Sequence, residues 1–146
     1  MEIEGLEQYR KAGKIASQAR EFGIGLIKAG ASLSEVTEKI EQKILDLGGE
    51  LAFPTQLSLN DVAAHYCSTP DDETLFSEGD IVKLDLGVHI DGYVADTALT
   101  IDLSKDGKHE KLISAAKEAL QNAINAVMPG VKATEIGRII QDSISK

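Results

Sequence analysis

The chain has 146 residues, 42% of them hydrophobic and 27% charged, which are ordinary values for one globular domain with a real core. Its net charge of −9 argues against a nucleic-acid groove, which needs a basic footprint, and against binding to an anionic membrane surface. No apolar run approaches the roughly 18 residues of a membrane span, and the acidic start lacks a signal-peptide core. A lone cysteine, Cys67, excludes an internal disulfide and fits a reducing cytosol.

Two helices are predicted in the first fifty residues. An apolar stripe with small residues in its middle indicates a helix over residues 4–28. Gly23 and Gly25 weaken that helix, so they suggest either close packing or a late kink. The sequence Ser32–Glu35 matches a capping box and predicts a second helix that ends near Leu47.

The segment between the helices and the next strong signal is less regular. A short strand is predicted over residues 50–53, and Pro54 is expected to stop it. Residues 57–66 are mixed in character and are expected to be extended. Residues 68–80 are predicted to form a surface loop, in which the acidic residues are solvated.

The strongest local signal is a hairpin over residues 81–101. Asp91 and Gly92 predict a two-residue type I′ turn, because both central residues of such a turn need positive φ. With that turn, alternate residues form one nearly pure apolar face. The same register places Asp85 and Asp96 together on the other face, as diagonal neighbours.

Two aspartates in the middle of strands are unusual. Asp is depleted in strands, and two nearby carboxylates raise each other's pKa unless a cation joins them. One or two divalent metal ions bound by Asp85 and Asp96 would resolve both problems, and Gly87 leaves space beside them. The alternative is a half-exposed hairpin whose polar face is simply solvated. The pattern alone leaves both interpretations open.

Two more helices are predicted after the hairpin, over residues 108–128 and from about Thr134. They repeat the first pair, because sliding the chain by 100 residues brings Gly30 onto Gly130 and aligns the apolar faces. The alternative is a chance similarity between two amphipathic helix pairs. If the repeat is real, the chain is expected to hold the first half, and an unfinished second half, of a pseudo-twofold protein.

Several stretches resemble the methionine aminopeptidases, specifically their type 2, archaeal-like branch. The resemblance covers essentially all of residues 1–146 and implies the amino-terminal part of a single metallopeptidase catalytic domain. The implied fold is α/β (α+β) of the pita-bread, creatinase/aminopeptidase-like class. The chain would be the first half of its duplicated helix-helix-strand-hairpin unit. The stretches that carry the resemblance are Ala52–Asn60, Ala63–Tyr66, Glu78–Gly87 and His89–Thr97.

The resemblance also implies roles for individual residues. Asp85 and Asp96 match the first two of five ligands of a two-metal centre, where the second aspartate bridges both ions. His65 matches a catalytic histidine that also contacts the substrate. Phe53 and Pro54 match part of the pocket for the methionine side chain. The remaining ligands, a histidine and two glutamates, are implied to lie in the missing half.

Two positions depart from the family pattern. The family usually has a small residue or Asn where Gln56 stands, and usually Thr where Cys67 stands. Both are expected at the rim of the pocket rather than at the metals.

The implied reaction is hydrolytic removal of the initiator methionine from nascent proteins in the cytoplasm. The implied cofactors are two divalent metal ions, drawn from Co, Mn, Fe or Zn. The implied partners are the amino termini of nascent polypeptides, with no nucleic acid and no membrane. The intact enzyme would be a monomer, and the fragment could dimerise. With two ligands of about five, residues 1–146 alone are expected to be inactive.

Three alternatives are considered. A proline dipeptidase shares the fold, but Phe53-Pro54 followed by the Ala63–Tyr66 stretch argues against it. A non-catalytic pita-bread binding module would usually lose the metal aspartates, which are kept here. An unrelated acidic α/β domain could use the hairpin as a Ca²⁺ or Mg²⁺ site, but the repeat argues against that.

Overall fold

A computed structural model describes residues 4–145, and this part of the chain contains four helices and three strands. Each helix end that the sequence predicts is found within two residues of its expected position. No helix in the described part is long and apolar enough to cross a membrane. The chain divides into two compact units, one reaching Lys105 and one starting at Asp106. The elements are α1 (Leu6–Leu26), α2 (Leu33–Asp46), β1 (Glu50–Leu59), β2 (Ile81–Ile90), β3 (Tyr93–Asp102), α3 (Glu110–Ala126) and α4 (Ala133–Ile144).

The first unit is an antiparallel sheet with two helices on one face. The strand order is β1-β2-β3, and α1 lies on β2 and β3 while α2 lies on β1. Because side chains alternate along a strand, one face of β2 is apolar and packs against the helices. The core residues with no exposed surface include Leu33, Ile40, Ile44, Leu57, Val82, Leu84, Leu86 and Val88.

The hairpin has the predicted turn and the predicted register. Asp91 and Gly92 have φ values of 53° and 84°, as a type I′ turn requires. From this turn β2 and β3 pair without a break as far as Ile81 opposite Asp102. The apolar face is therefore buried against the helices, and the face that carries the two aspartates points away from them.

The prediction that Pro54 stops the first strand is wrong, because β1 runs through the proline and has ten residues, from Glu50 to Leu59. Proline has no N–H for the ladder, so it is tolerated at sheet edges and bulges. β1 is an edge strand, and its register against β2 shifts between Phe53 and Gln56. This irregularity accommodates Pro54 and brings Gln56 opposite Asp85.

The segment between β1 and β2 lies at the surface, as predicted, but it is anchored. Phe76 is the largest fully buried side chain of the described residues, at 1% exposure. Its backbone N–H donates to the carbonyl of Ala31 at 3.0 Å, and its own carbonyl accepts from Gly30 N at 2.7 Å. The acidic residues on both sides of it, Glu73 and Glu78, make this segment read as a solvated loop and hide the anchor.

Close packing of α1 depends on Gly23. A Cβ at this position would lie 2.8 Å from Cδ1 of Ile40 and 3.0 Å from Cδ2 of Leu84, whereas a Cβ at Gly25 would meet nothing within 4 Å. Gly23→Ala is expected to destabilise the protein by about 1–3 kcal/mol through overpacking. Gly25→Ala, the matched control, should stabilise it by up to about 1 kcal/mol through helix propensity. Urea unfolding of both variants checks this, and equal shifts would contradict it.

The second unit repeats the helix-turn-helix of the first. Gly30 and Gly130 have φ values of 86° and 89°. In both turns the residue after the glycine donates to the carbonyl three residues earlier, at 3.1 Å. The following helices begin 100 residues apart, at Leu33 and Ala133. The predicted repeat is thus present in the backbone.

Several apolar positions that are buried in the first helix pair are exposed in the second. In the first pair, the apolar positions at 12, 27, 40 and 44 are at most 4% exposed. Their counterparts at 112, 127, 140 and 144 are 36–65% exposed. In the first unit a sheet covers these positions, and residues 106–145 contain no strand.

Candidate metal centre

β2 and β3 bring two carboxylates together on the sheet face that points away from the helices. Gly87 pairs with Asp96, and Asp85 pairs with Ala98, so the two aspartates are diagonal neighbours. Such pairs lie roughly 7–8 Å apart at the backbone, within reach of a shared ion. Phe53 of β1 pairs with Gly87 from the other side. Its ring fills the place that a Cβ at position 87 would take.

The surroundings of Asp85 favour a cation. Burial raises the pKa of Asp85, and the nearby Asp96 carboxylate raises it further, while the charge of His65 opposes this. Oδ1 of Asp85 is buried without a hydrogen-bond partner, and so is Oε1 of Gln56 on the opposing strand. Buried acceptors without donors are costly, and both are oxygens that hard cations use as ligands. The donor set therefore fits a divalent metal better than a solvated face.

His65 lies on the loop that follows β1, close enough to Asp85 for its charge to act on that carboxylate. Its φ of 67° is in the left-handed region, which is uncommon for residues other than glycine, although Asn, Asp and His adopt it more often than the rest. The next residue fixes this end of the loop. Tyr66 N donates to Ser58 Oγ at 3.2 Å, and Tyr66 Oη donates to Asp72 Oδ2 at 2.9 Å.

Pro54 lies apart from this cluster. It lines a small cavity of about 180 Å³ beside α2, together with Glu38, Glu41 and Cys67. Neither aspartate lines this cavity. The structure therefore brings four of the five predicted site residues together and leaves Pro54 to one side.

Within residues 4–145, no group of three or more His, Cys, Asp or Glu side chains could hold a metal ion. A hard cation normally takes six or more oxygen ligands, several of them from protein. Asp85 and Asp96 thus form part of a ligand set. The rest of that set is not supplied by the described part of the chain.

The sequence did not place Gln56 correctly in the site. Its expected position was the pocket rim, but it stands directly across from Asp85. It also forms an isolated bridge with Cys67. The register shift at Pro54 causes this placement, and only a strand that continues through the proline could have signalled it.

The hydrogen bond from Tyr66 to Asp72, which holds the end of the loop that carries His65, is expected to be lost in acid. Hydrogen bonds from Thr74, and a further one from Tyr66, lower the pKa of Asp72. A lowered folded-state pKa contributes stability above the unfolded pKa and loses it as pH falls through the folded pKa. Protection of the amides of residues 66–74, measured against their intrinsic exchange rates, should therefore fall below about pH 4, and Asp72→Asn should show that loss already at neutral pH. The exposed neighbour provides the control, Asp71→Asn, which should behave as wild type; an identical profile for both variants would contradict the assignment.

Comparison with known proteins identifies the family and the fold. A family model described as metallopeptidase family M24 matches residues 7–146. A methionine aminopeptidase from Pyrococcus horikoshii is 52% identical over 136 residues, covering 93% of this chain and 45% of that protein. The solved methionine aminopeptidase of Thermotoga maritima superposes with a TM-score of 0.88 at 25% identity, over 99% of this chain and 62% of that one. The prolidase of Pyrococcus furiosus gives 0.85 at 28% identity, over 99% and 43%.

The fold is that of a half unit of the pita-bread class, as predicted. The chain belongs to metallopeptidase family M24, whose members are divalent-metal-dependent peptidases. It spans about half the length of the curated relatives that it matches at 45–52% identity.

Proposed function

We propose that the protein containing this chain is a methionine aminopeptidase that removes the initiator methionine from nascent proteins. The observation that carries the proposal is the pair Asp85 and Asp96 on one sheet face, with an unpartnered buried oxygen on Asp85. The archaeal relatives at 45–52% identity, all named methionine aminopeptidase, support the substrate.

Asp85 and Asp96 would hold two divalent ions, from among Co, Mn, Fe and Zn. When bound, such a centre supplies a Lewis acid and a water activated at neutral pH. His65 would donate a hydrogen bond to the charge that develops on the scissile carbonyl oxygen. Phe53 would form an apolar wall for the unbranched methionine side chain. Pro54 would act through Phe53, by setting the irregular backbone that carries the ring.

The chain would then form the amino-terminal part of one catalytic domain. Its apolar positions in α3 and α4, which are exposed here, support this, because their counterparts in α1 and α2 are covered by a sheet. The other ligands would come from the part of the relatives that this chain does not span. The partners would be nascent amino termini in the cytoplasm, without nucleic acid, and the complete enzyme would be monomeric.

A proline dipeptidase is the second candidate, because prolidases share the fold at TM-scores of 0.85 and 0.87. The full-length protein, loaded with Mn²⁺ or Co²⁺, should release methionine from Met-Ala-Ser and leave Leu-Pro intact. Cleavage of Leu-Pro alone would favour the dipeptidase. Residues 1–146 alone should release no methionine, and rapid release by this fragment would show that two carboxylates suffice.

His65 offers a substitution that spares the backbone. Asn tolerates the left-handed conformation of this position better than most residues, so His65→Asn should keep the loop and lose the imidazole. Turnover of Met-Ala-Ser is expected to fall about 100-fold, as for loss of one hydrogen-bond donor to an oxyanion, with metal affinity unchanged. His109→Asn, at the start of α3, is the control. Loss of metal binding in His65→Asn would instead make this residue a ligand.

A further inference from the structure

We propose that Lys83 is a positioning residue for His65. Its ammonium group holds the backbone carbonyl of Asn60, which lies at the start of the loop that carries the histidine. The contact itself is independent of the proposed function. The effect on turnover rests on the proposed function, because it acts through His65.

The contact is short and charge-assisted. Lys83 Nζ donates to the carbonyl oxygen of Asn60 at 2.6 Å. Hydrogen bonds from charged donors are shorter and about twice as strong as neutral ones. Lys83 stands on the same face of β2 as Asp85, two residues earlier. The hydrogen bond of its ammonium group goes to the loop, at Asn60.

The backbone N–H and the side chain of Asn60 hydrogen-bond to residues 80 and 81, and its carbonyl accepts from Lys83. Its φ is 49°, in the left-handed region. Its N–H donates to Ile81 O at 2.9 Å, and its side-chain oxygen accepts from Ile81 N at 3.1 Å. Its side-chain amide donates to Asp80 Oδ1 at 2.9 Å. The first residue of the loop is thus held by Asp80 and Ile81 through its N–H and its side chain, and by the third residue of β2, Lys83, through its carbonyl.

Between its two anchors the loop is also held by a backbone hydrogen bond from Val62 N to the carbonyl of Leu59, at 2.9 Å. Residues 61–67 are all exposed, and Tyr66 provides the second anchor through Ser58 and Asp72. His65 sits just before that second anchor in a left-handed conformation, which persists only when the surroundings impose it. Asn60 itself would stay in place without the lysine, but the peptide group that joins it to Asp61 would be free to turn and to shift the residues that follow. The imidazole would then lose its fixed place beside Asp85.

The test compares Lys83→Met and Lys83→Arg in the full-length protein. Met keeps the length of the side chain without the charge, and Arg keeps a cationic donor. A matched control is Lys39→Met, which removes the same charge from an exposed ion pair with Glu35 on α2. In Lys83→Met we expect amide exchange of residues 61–66 to rise about tenfold or more. kcat for Met-Ala-Ser should fall about 10- to 100-fold, as for a catalytic group misplaced by about 1 Å, with KM and metal affinity unchanged.

Lys83→Arg should restore most of the protection and of kcat, and Lys39→Met should match wild type in both. A Lys83→Met variant with unchanged exchange over residues 61–66 would overturn the proposal. So would a Lys83→Arg variant no better protected than Lys83→Met. If the wild-type protein releases no methionine, the proposed function fails, and the exchange data still decide the role of Lys83.

Discussion

Asp96→Asn is expected to remove most metal binding and, with it, release of methionine. The substitution keeps the size of the side chain and takes away the charge that would bridge two cations. Loss of an outer-shell partner typically costs 10- to 100-fold in metal affinity or activity, and loss of a ligand should exceed that. Mn²⁺ titration by calorimetry, followed by the Met-Ala-Ser assay, measures both effects. Asp91→Asn, the control, removes the same charge from the same hairpin, and Asn is well suited to the positive φ of a type I′ turn.

Asp85→Asn should show how much the paired carboxylates destabilise the fold when metal is absent. Asp85 is partly buried beside a second carboxylate, and its Oδ1 has no donor. Without metal, Asp85→Asn is therefore expected to raise the melting temperature, because it removes the repulsion from Asp96. With metal, the same variant should gain less from added Mn²⁺ than wild type. Equal melting temperatures for Asp85→Asn and wild type, with and without Mn²⁺, would show that these carboxylates are simply solvated.

The hairpin was predictable because its determinants are local. The type I′ turn at Asp91-Gly92 and the alternation on both sides favour one register, which puts Val82, Leu84, Leu86 and Val88 on the face that packs against the helices. That register alone places the two aspartates on a common face. The helix pairs were predictable for a related reason, since their periodicity and the breaks at Gly30 and Gly130 repeat along the chain.

The path of β1 was not predictable, because it depends on which strand lies beside it. Proline within a run argues against a central strand, and nothing local reveals that this strand is an edge that can shift register. The same limit applies to Gln56, which reaches Asp85 only through that shift. It applies equally to the bond between Lys83 and Asn60, which joins residues 23 apart in the chain.

Gly87→Ala should show that the ring of Phe53 and the strands that carry Asp85 and Asp96 depend on each other for their positions. A Cβ at this position would collide with the ring of Phe53, with Cδ1 at 2.7 Å. Either the ring or the strand must move, so Gly87→Ala is expected to destabilise the protein by about 1–3 kcal/mol. Because Phe53 would line the methionine pocket, KM for Met-Ala-Ser should rise as well.

A double-mutant cycle separates this collision from a general effect of alanine in a strand. Phe53→Ala removes the ring and leaves room for the new Cβ. In that background Gly87→Ala should cost little, and the coupling between the two sites should be about 0.5–3 kcal/mol, the range for residues in contact. Urea unfolding of the four proteins gives the cycle. Additive effects would mean that Phe53 does not pack on Gly87, and the ring could then not be an apolar wall for the methionine side chain beside the two aspartates.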